Sequence, residues 1–334
     1  MILPELSSSL RVAGAKPPHV RLVLEAWLSG HEPGFRRTTR EYPYPRALLD
    51  ALPGLAARLD AVAIPVSEHA GSDGSVRTLL RLADGLMVES VLLPRDGLCV
   101  STQVGCAVGC LFCWTGRDGL LRNLTSVEIL AQVALARRRR TVRRVVLMGM
   151  GEPSHNLPSV LEALSRLGRE GGLGHKNLVF STVGDRRLFD RLARHDVKPA
   201  VALSLHTTDA ALRESLLPRA PRVPPKELIE LADAYARRTT YPIQVQWTLL
   251  EGINDGDGEV ERLAELMRDR HAIVNLIPYN RVDGLDFRRP SLERARAIVR
   301  RLRARGVLAT IRQSAGQEVE GACGQLRARA APAT

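Results

Sequence analysis

From residue 98 onward, short apolar runs alternate with longer amphipathic stretches. LCVSTQV precedes TSVEILAQVALARRRR, RRVVLMGMG precedes LPSVLEALSRLGRE, and KNLVFSTVG precedes DRRLFDRLARH. PAVALSLHT, IQVQWTLLEG and AIVNLIPYN then lead into PPKELIELADAYARRT, DGEVERLAELMRDRH and SLERARAIVRRLRARG, and VLATIRQS closes the series. Apolar runs of this length fit buried strands, and recurrence at three- and four-residue spacing fits helices. Thr125 and Glu128 have the spacing of a capping box at one helix start. Regular strand–helix alternation predicts βαβ units on a parallel sheet. About six such units predict an α/β barrel, full or partial, with its site at the C-terminal ends of the strands.

Residues 1–97 have a different texture. VRLVLEAWL and RALLDALPGLAARLD have helical spacing and flank the Pro- and Arg-rich PGFRRTTREYPYP. SVRTLLRLA and LMVESVLLP, joined at Asp84-Gly85, form a hairpin signal. The expected organisation is an accessory region of helices plus hairpin over 1–97, a barrel domain over 98–326 and a short tail over 327–334.

No run of about 18 apolar residues is present, and the N-terminal stretch lacks the basic start and apolar core of a secretory signal, so a cytoplasmic protein with no membrane association is expected. Lys plus Arg number 48 against 36 Asp plus Glu, a net charge of +12. This excess suggests a polyanionic partner. It concentrates in RRRRTVRR at 137–144 and in ERARAIVRRLRARG at 293–306, although either run alone reads equally well as a solvated face. Aromatic residues make up only 4%, which argues against a broad base-stacking platform.

Four of the five cysteines lie within CVSTQVGCAVGCLFCWTG, residues 99–116. In a reducing compartment such a cluster points to metal ligation or thiol catalysis before disulfides. Cys106, Cys110 and Cys113 can reach one centre from the loop after the first barrel strand. A structural zinc site wants four ligands, usually as two pairs, and no second pair exists, although Cys99 could supply a fourth. Three thiolates on an iron–sulfur cluster would leave one iron open to a small molecule.

The C-x3-C-x-Phe112-Cys113 spacing on a βα pattern resembles that of the radical S-adenosylmethionine (SAM) enzymes. CVSTQVGCAVGCLFC, followed in order by RNLTSVEILAQV, VVLMGMGEP, SLHTT, NLIPYN and GACGQL, resembles the RlmN and Cfr group of RNA adenosine methyltransferases from about Gly71 to Leu326. The resemblance implies a partial (β/α)6-type radical SAM barrel holding a [4Fe-4S] cluster on Cys106, Cys110 and Cys113. It also implies methylation of an adenine ring carbon, C2 ahead of C8, in structured RNA, with 23S rRNA the first substrate and tRNA the second. Such a carbon is electron-poor and lacks a useful lone pair, so simple displacement from SAM fails and a radical route is required.

In the mechanism implied by the resemblance, Cys323 of GACGQL accepts a methyl group from one SAM and loses hydrogen to the radical made from a second. Its carbon joins the adenine, Glu89 removes the ring proton, and Cys99 releases the product through a transient disulfide with Cys323. Gly151, Glu152, Ser181, Ser204, Leu205, His206 and Asn280 match the family's SAM contacts. A reducing donor such as flavodoxin or ferredoxin and a monomeric protein are expected. Trp114 departs from the small residue that often follows the third cysteine, and the first 70 residues match the group poorly. The same chemistry on another RNA, a small molecule or a peptide therefore stays open, as does a zinc-stabilised RNA-binding protein without catalysis.

Overall fold

The computed structural model describes residues 3–31 and 43–328. Most of the Pro- and Arg-rich PGFRRTTREYPYP and of the tail lies outside the described residues. Three helices come first, α1 (Leu3–Val12), α2 (Pro17–Leu28) and α3 (Arg46–Asp60), followed by strands β1 (Ala63–Ala70), β2 (Val76–Leu82), β3 (Met87–Leu93), β4 (Gly97–Cys99), β5 (Gln103–Gly105) and β6 (Leu120–Asn123). Helices and strands then alternate: α4 (Ser126–Arg139), β7 (Arg144–Leu147), α5 (Leu157–Arg169), β8 (Leu178–Thr182), α6 (Leu188–Arg194), β9 (Ala200–Ser204), α7 (Ala210–Leu216), α8 (Pro225–Thr239), β10 (Ile243–Leu249), α9 (Asp257–Leu266), β11 (Ala272–Pro278), α10 (Leu292–Ala304) and β12 (Ala309–Ile311).

One sheet carries ten of these strands in the order β1-β2-β3-β4-β7-β8-β9-β10-β11-β12. Strands β4 and β7 to β12 run parallel, as the alternating pattern predicts. Residues after the C-terminal ends of β7, β8, β9, β10 and β11 line one cavity, so the sheet curls like a partial barrel. Thr125 accepts from the Glu128 N–H while the Glu128 carboxylate accepts from the Thr125 N–H, completing the expected capping box.

The hairpin β2–β3 forms at Asp84-Gly85, where Gly85 takes φ +84°. It carries a third strand that the hydrophobic pattern did not reveal: β1 contains Pro65, has a register shift beside it and is mostly exposed, as suits an edge. On its other side β3 pairs antiparallel with β4, so the hairpin continues directly into the parallel sheet, and Leu24, Leu52, Val88, Val146 and Leu276 belong to one core.

LCVSTQV, read as one strand, is broken in two. Beyond Cys99 the backbone turns towards β7, with the Val100 N–H donating to Val146 O and the Thr102 N–H to Met150 O, and β5 then pairs with β6 in a separate two-stranded sheet. The cysteine loop spans β5 and β6, where Gly116 crosses so closely that a Cβ would lie 2.8 Å from the Gly109 Cα.

Much of both arginine runs is spent on groups of the protein itself. The Arg137 guanidinium donates to Leu28 O, Gly171 O and Val142 O, Arg138 pairs with Asp60, Arg139 with Glu68 and Arg143 with Asp96, and Arg140 donates to Gly74 O and Leu93 O. This run fastens the N-terminal helices and meander to the barrel. In the second run Arg294 and Arg301 meet Asp257, and Arg301 and Arg305 meet Glu261, tying α10 to α9. Among the described residues no helix is long and apolar enough to cross a membrane.

Candidate functional site

At the C-terminal ends of the parallel strands lies a cavity lined by Cys106, Cys110 and Cys113 on one side and by Gly151, Glu152, Ser181, Ser204, His206 and Asn280 on the other. These lining residues were all expected from the sequence. Leu205 was expected with them; just past the end of β9 its side chain is fully buried outside the cavity lining, and its N–H donates to Gln246 O.

The three thiols are half-buried residues whose sulfurs are largely shut off from solvent. Burial pushes the Cys106 thiol up to about 12 and raises Cys110 and Cys113 as well, with the neighbouring sulfurs adding to the effect. Such groups resist ionisation alone, and a bound cationic centre would supply the compensating charge. Among the described residues no three His, Cys, Asp or Glu side chains converge closely enough to hold a single metal ion. Three thiols lining one cavity are a donor set that fits an iron–sulfur cluster with one iron left open.

Opposite the cysteines, the Glu152 carboxylate is buried and accepts the N–H groups of Ser154 and Val183 at 3.0 and 2.9 Å, while its own N–H donates to Gln103. Gly151 has φ +102°, and a Cβ there would lie 2.6 Å from the Gln103 side chain, so the backbone runs along the cavity where no larger residue fits. His206, also at positive φ, accepts the Thr248 N–H at Nδ1, and burial followed by the charge of Arg213 lowers its imidazole to about 3. It is therefore neutral, with Nε2 as its donor. Arg213 donates to Val183 O and Ser204 O beneath the same wall.

Sequence reasoning missed Met148, Gln246 and Tyr279, which also line this cavity. For Met148 and Tyr279 the available signal was a place just beyond a strand end; Gln246, in the middle of β10, carried none. Gln246 Oε1 and Asn280 Oδ1 are buried acceptors without a partner among the described residues. Open acceptors facing a cavity fit a ligand rich in N–H and O–H groups, and with the Gly151 cradle and the three thiols they fit SAM beside an iron–sulfur cluster.

The loop bearing Cys323 closes the cavity. Gly324 O accepts the Trp114 N–H at 2.7 Å, Leu326 O accepts the Thr115 hydroxyl at 2.7 Å, and Cys323 O accepts the Asn280 amide at 3.0 Å. The guanidinium groups of Arg117 and Arg327 stack over the Trp114 ring. Trp114, unusual by sequence, thus helps to fasten the Cys323 segment to the cysteine loop.

Cys323 also borders a second cavity that contains Cys99 and shares Met148 with the first. Cys99 is buried at the end of β4, and burial, with a smaller effect from Cys323, pushes its thiol up to about 12. All five cysteines are free thiols, so the disulfide expected of Cys99 and Cys323 is not formed; main-chain bonds to Trp114 and Asn280 hold the Cys323 loop against the first cavity.

Glu89 lines neither cavity. It is fully buried on β3, with one carboxylate oxygen on Arg77 at 2.6 Å and the other accepting the N–H groups of Arg327 and Ala328 at 2.8 and 3.0 Å. In this conformation it latches the segment that follows Cys323.

Comparison with known proteins agrees with this geometry. Residues 100–267 match the model of the radical SAM superfamily. A protein of Thiobacillus denitrificans named "Probable RNA methyltransferase" is 63% identical over 330 residues, covering 99% of this chain and 91% of the relative. Another, of Bordetella avium and similarly named, is 61% identical, covering 96% and 92%. The crystal structure of a radical SAM methyltransferase from Sphaerobacter thermophilus superposes with a TM-score of 0.84 at 38% identity, covering 98% of each chain. The α/β barrel, the three-cysteine cavity and these full-length likenesses lead to one conclusion: the chain belongs to the radical SAM superfamily and, within it, to the family of these methyltransferase relatives.

Proposed function

We propose that this protein methylates an adenine ring carbon, C2 ahead of C8, in structured RNA, with 23S rRNA the first candidate and tRNA the second. The observation that carries the reading is the position of Cys323, which borders both the three-cysteine cavity and the cavity of Cys99. A thiol at that junction can be loaded on one side and unloaded on the other.

Cys106, Cys110 and Cys113 would hold the cluster, while Gly151, Glu152, Ser181, Ser204, His206 and Asn280 would hold SAM. Bound there, the two would supply an electron, a methyl group and a hydrogen-abstracting radical. Cys323 carries the methyl group as a thioether; that methyl gives up one hydrogen atom to the radical, its carbon bonds to the ring carbon, and the adduct's unpaired electron would return to the redox centre held by the three cysteines. Glu89, once the N–H groups of Arg327 and Ala328 release it, takes the ring proton. The Cys99 sulfur then attacks the Cys323 sulfur, the S–C bond breaks with its electron pair passing to the transferred carbon, and that carbon gains a proton to become the methyl group. The resulting disulfide needs an external thiol or dithiol reductant before the next turnover. A flavodoxin or ferredoxin fits as electron donor, and a cytoplasmic monomer fits the remaining features.

Mass-spectrometric mapping of RNA from cells with and without the gene tests the reading: loss of one methyladenosine is expected, and an unchanged RNA pattern refutes it. The Cys99→Ala protein is expected to retain RNA covalently on Cys323; protein free of nucleotide would refute the paired roles.

A further inference from the structure

The cavity of Cys99 extends well beyond the two thiols. Arg144, Val146 and Met148 line it from β7, where their two-residue spacing puts all three on one face of the strand, and Gly97 and Cys99 line it from β4 in the same way. Arg312, next after β12, contributes from the opposite edge of the sheet. One cavity therefore takes in Arg144, at the start of β7, together with Cys99, Arg312 and Cys323.

Most arginines near the sheet are paired, as the two charge runs show. Arg144 and Arg312 differ. Among the described residues neither forms an ion pair with a carboxylate, and the side-chain contact recorded for Arg312 is a long one to the Met148 sulfur at 3.8 Å. Asp73, the acidic residue on the wall, spends its carboxylate on Ser75 and on the Gly316 N–H. Burial, and then the charge of Arg312, lower the Arg144 guanidinium, as expected for two cations that share one space with no carboxylate bound to either among the described residues. Holding like charges together in a cavity is unfavourable unless an anion joins them, and guanidinium forks suit phosphate oxygens.

We infer that Arg144 and Arg312 form a phosphate subsite that seats the backbone beside the acceptor nucleotide while its base reaches Cys323 and Cys99, which line the same cavity. The inference rests on the methyl-transfer reading for the identity of the nucleotide, whereas the anion site follows from the cavity itself.

The test compares adenosine 3′,5′-bisphosphate with adenosine by calorimetry on the anaerobically reconstituted full chain. The bisphosphate is expected to bind at least about tenfold more tightly at low salt, with the gap closing as salt rises. Arg144→Gln should shrink the gap severalfold, and Arg144→Gln with Arg312→Gln should abolish it, leaving adenosine affinity, cluster absorbance and SAM binding intact. Arg144→Lys with Arg312→Lys should keep part of it. Arg144→Gln is the safeguard against misfolding, because no hydrogen bond or ion pair of the Arg144 side chain holds another element among the described residues. A gap of undiminished size in the Gln variants, or no gap in the native protein, overturns the subsite. Inorganic phosphate binding as tightly as the bisphosphate overturns its assignment to a nucleotide. Arginine-dependent bisphosphate binding in a protein whose gene alters no RNA would leave the subsite standing and remove the RNA reading.

Discussion

Replacing Arg137 with methionine separates structural arginines from those available to a polyanion. The guanidinium reaches Leu28 O and Gly171 O at 2.8 Å each and Val142 O at 3.0 Å, joining the end of α2, the end of α4 and the loop beyond α5. Methionine preserves much of the apolar stem but supplies no donor, so three carbonyls lose a charge-assisted bond. Each bond to a charged group contributes on the order of 1.5–3 kcal/mol, and the losses overlap because the three share one side chain and water reaches part of the site, giving a destabilisation of about 2–4 kcal/mol. Urea unfolding followed by circular dichroism should show a lower midpoint with an unchanged slope. RNA affinity of the folded variant, and its dependence on salt, should match the native protein. A stability change below about 0.5 kcal/mol together with weakened RNA binding would refute the reasoning and return the 137–144 run to the nucleic-acid interface.

Gly151→Ala should cut SAM affinity by more than about tenfold in equilibrium dialysis, because positive φ and a Cβ 2.6 Å from Gln103 force the backbone out of the cavity wall; unchanged affinity would show that this backbone does not meet the ligand. His206 should stay neutral to about pH 3, visible as flat imidazole NMR shifts down to about pH 4. Its folded value lies below the unfolded one of about 6.5, so the unfolded chain binds a proton first as pH falls. The resulting stability is fully present above about pH 6.5 and is lost as pH drops towards about 3, with a slope of up to about 1.4 kcal/mol per pH unit. His206→Gln should remove that contribution from the stability–pH curve; an identical curve would contradict the burial argument.

The β7–α5 and β8–α6 units were legible because a buried parallel strand and an amphipathic helix each leave a local periodic imprint. Strand β1 left none, since an exposed edge with a proline has no face to bury. Trp114 and Leu205 show two further limits. Trp114 looked like an interruption near the cysteines until its backbone N–H met Gly324 O and two arginines stacked on its ring. Leu205 sat within a matching motif, yet its side chain is buried in the core beside the cavity and does not line it.

By itself, the amino-acid sequence determined the strand–helix rhythm and the close spacing of Cys106, Cys110 and Cys113, because both depend on neighbours only a few residues apart. Tertiary structure alone decided that Cys323 would stand at the junction of two cavities, that Glu89 would grip the segment following it, and that Arg137 to Arg140 and Arg143 would be spent on carbonyls and carboxylates while Arg144, the last of that run, and Arg312 were left facing a cavity. Periodicity is a local property of the chain. The partner that a charge or thiol meets is set by packing between segments far apart in sequence, and no short window of residues contains that information.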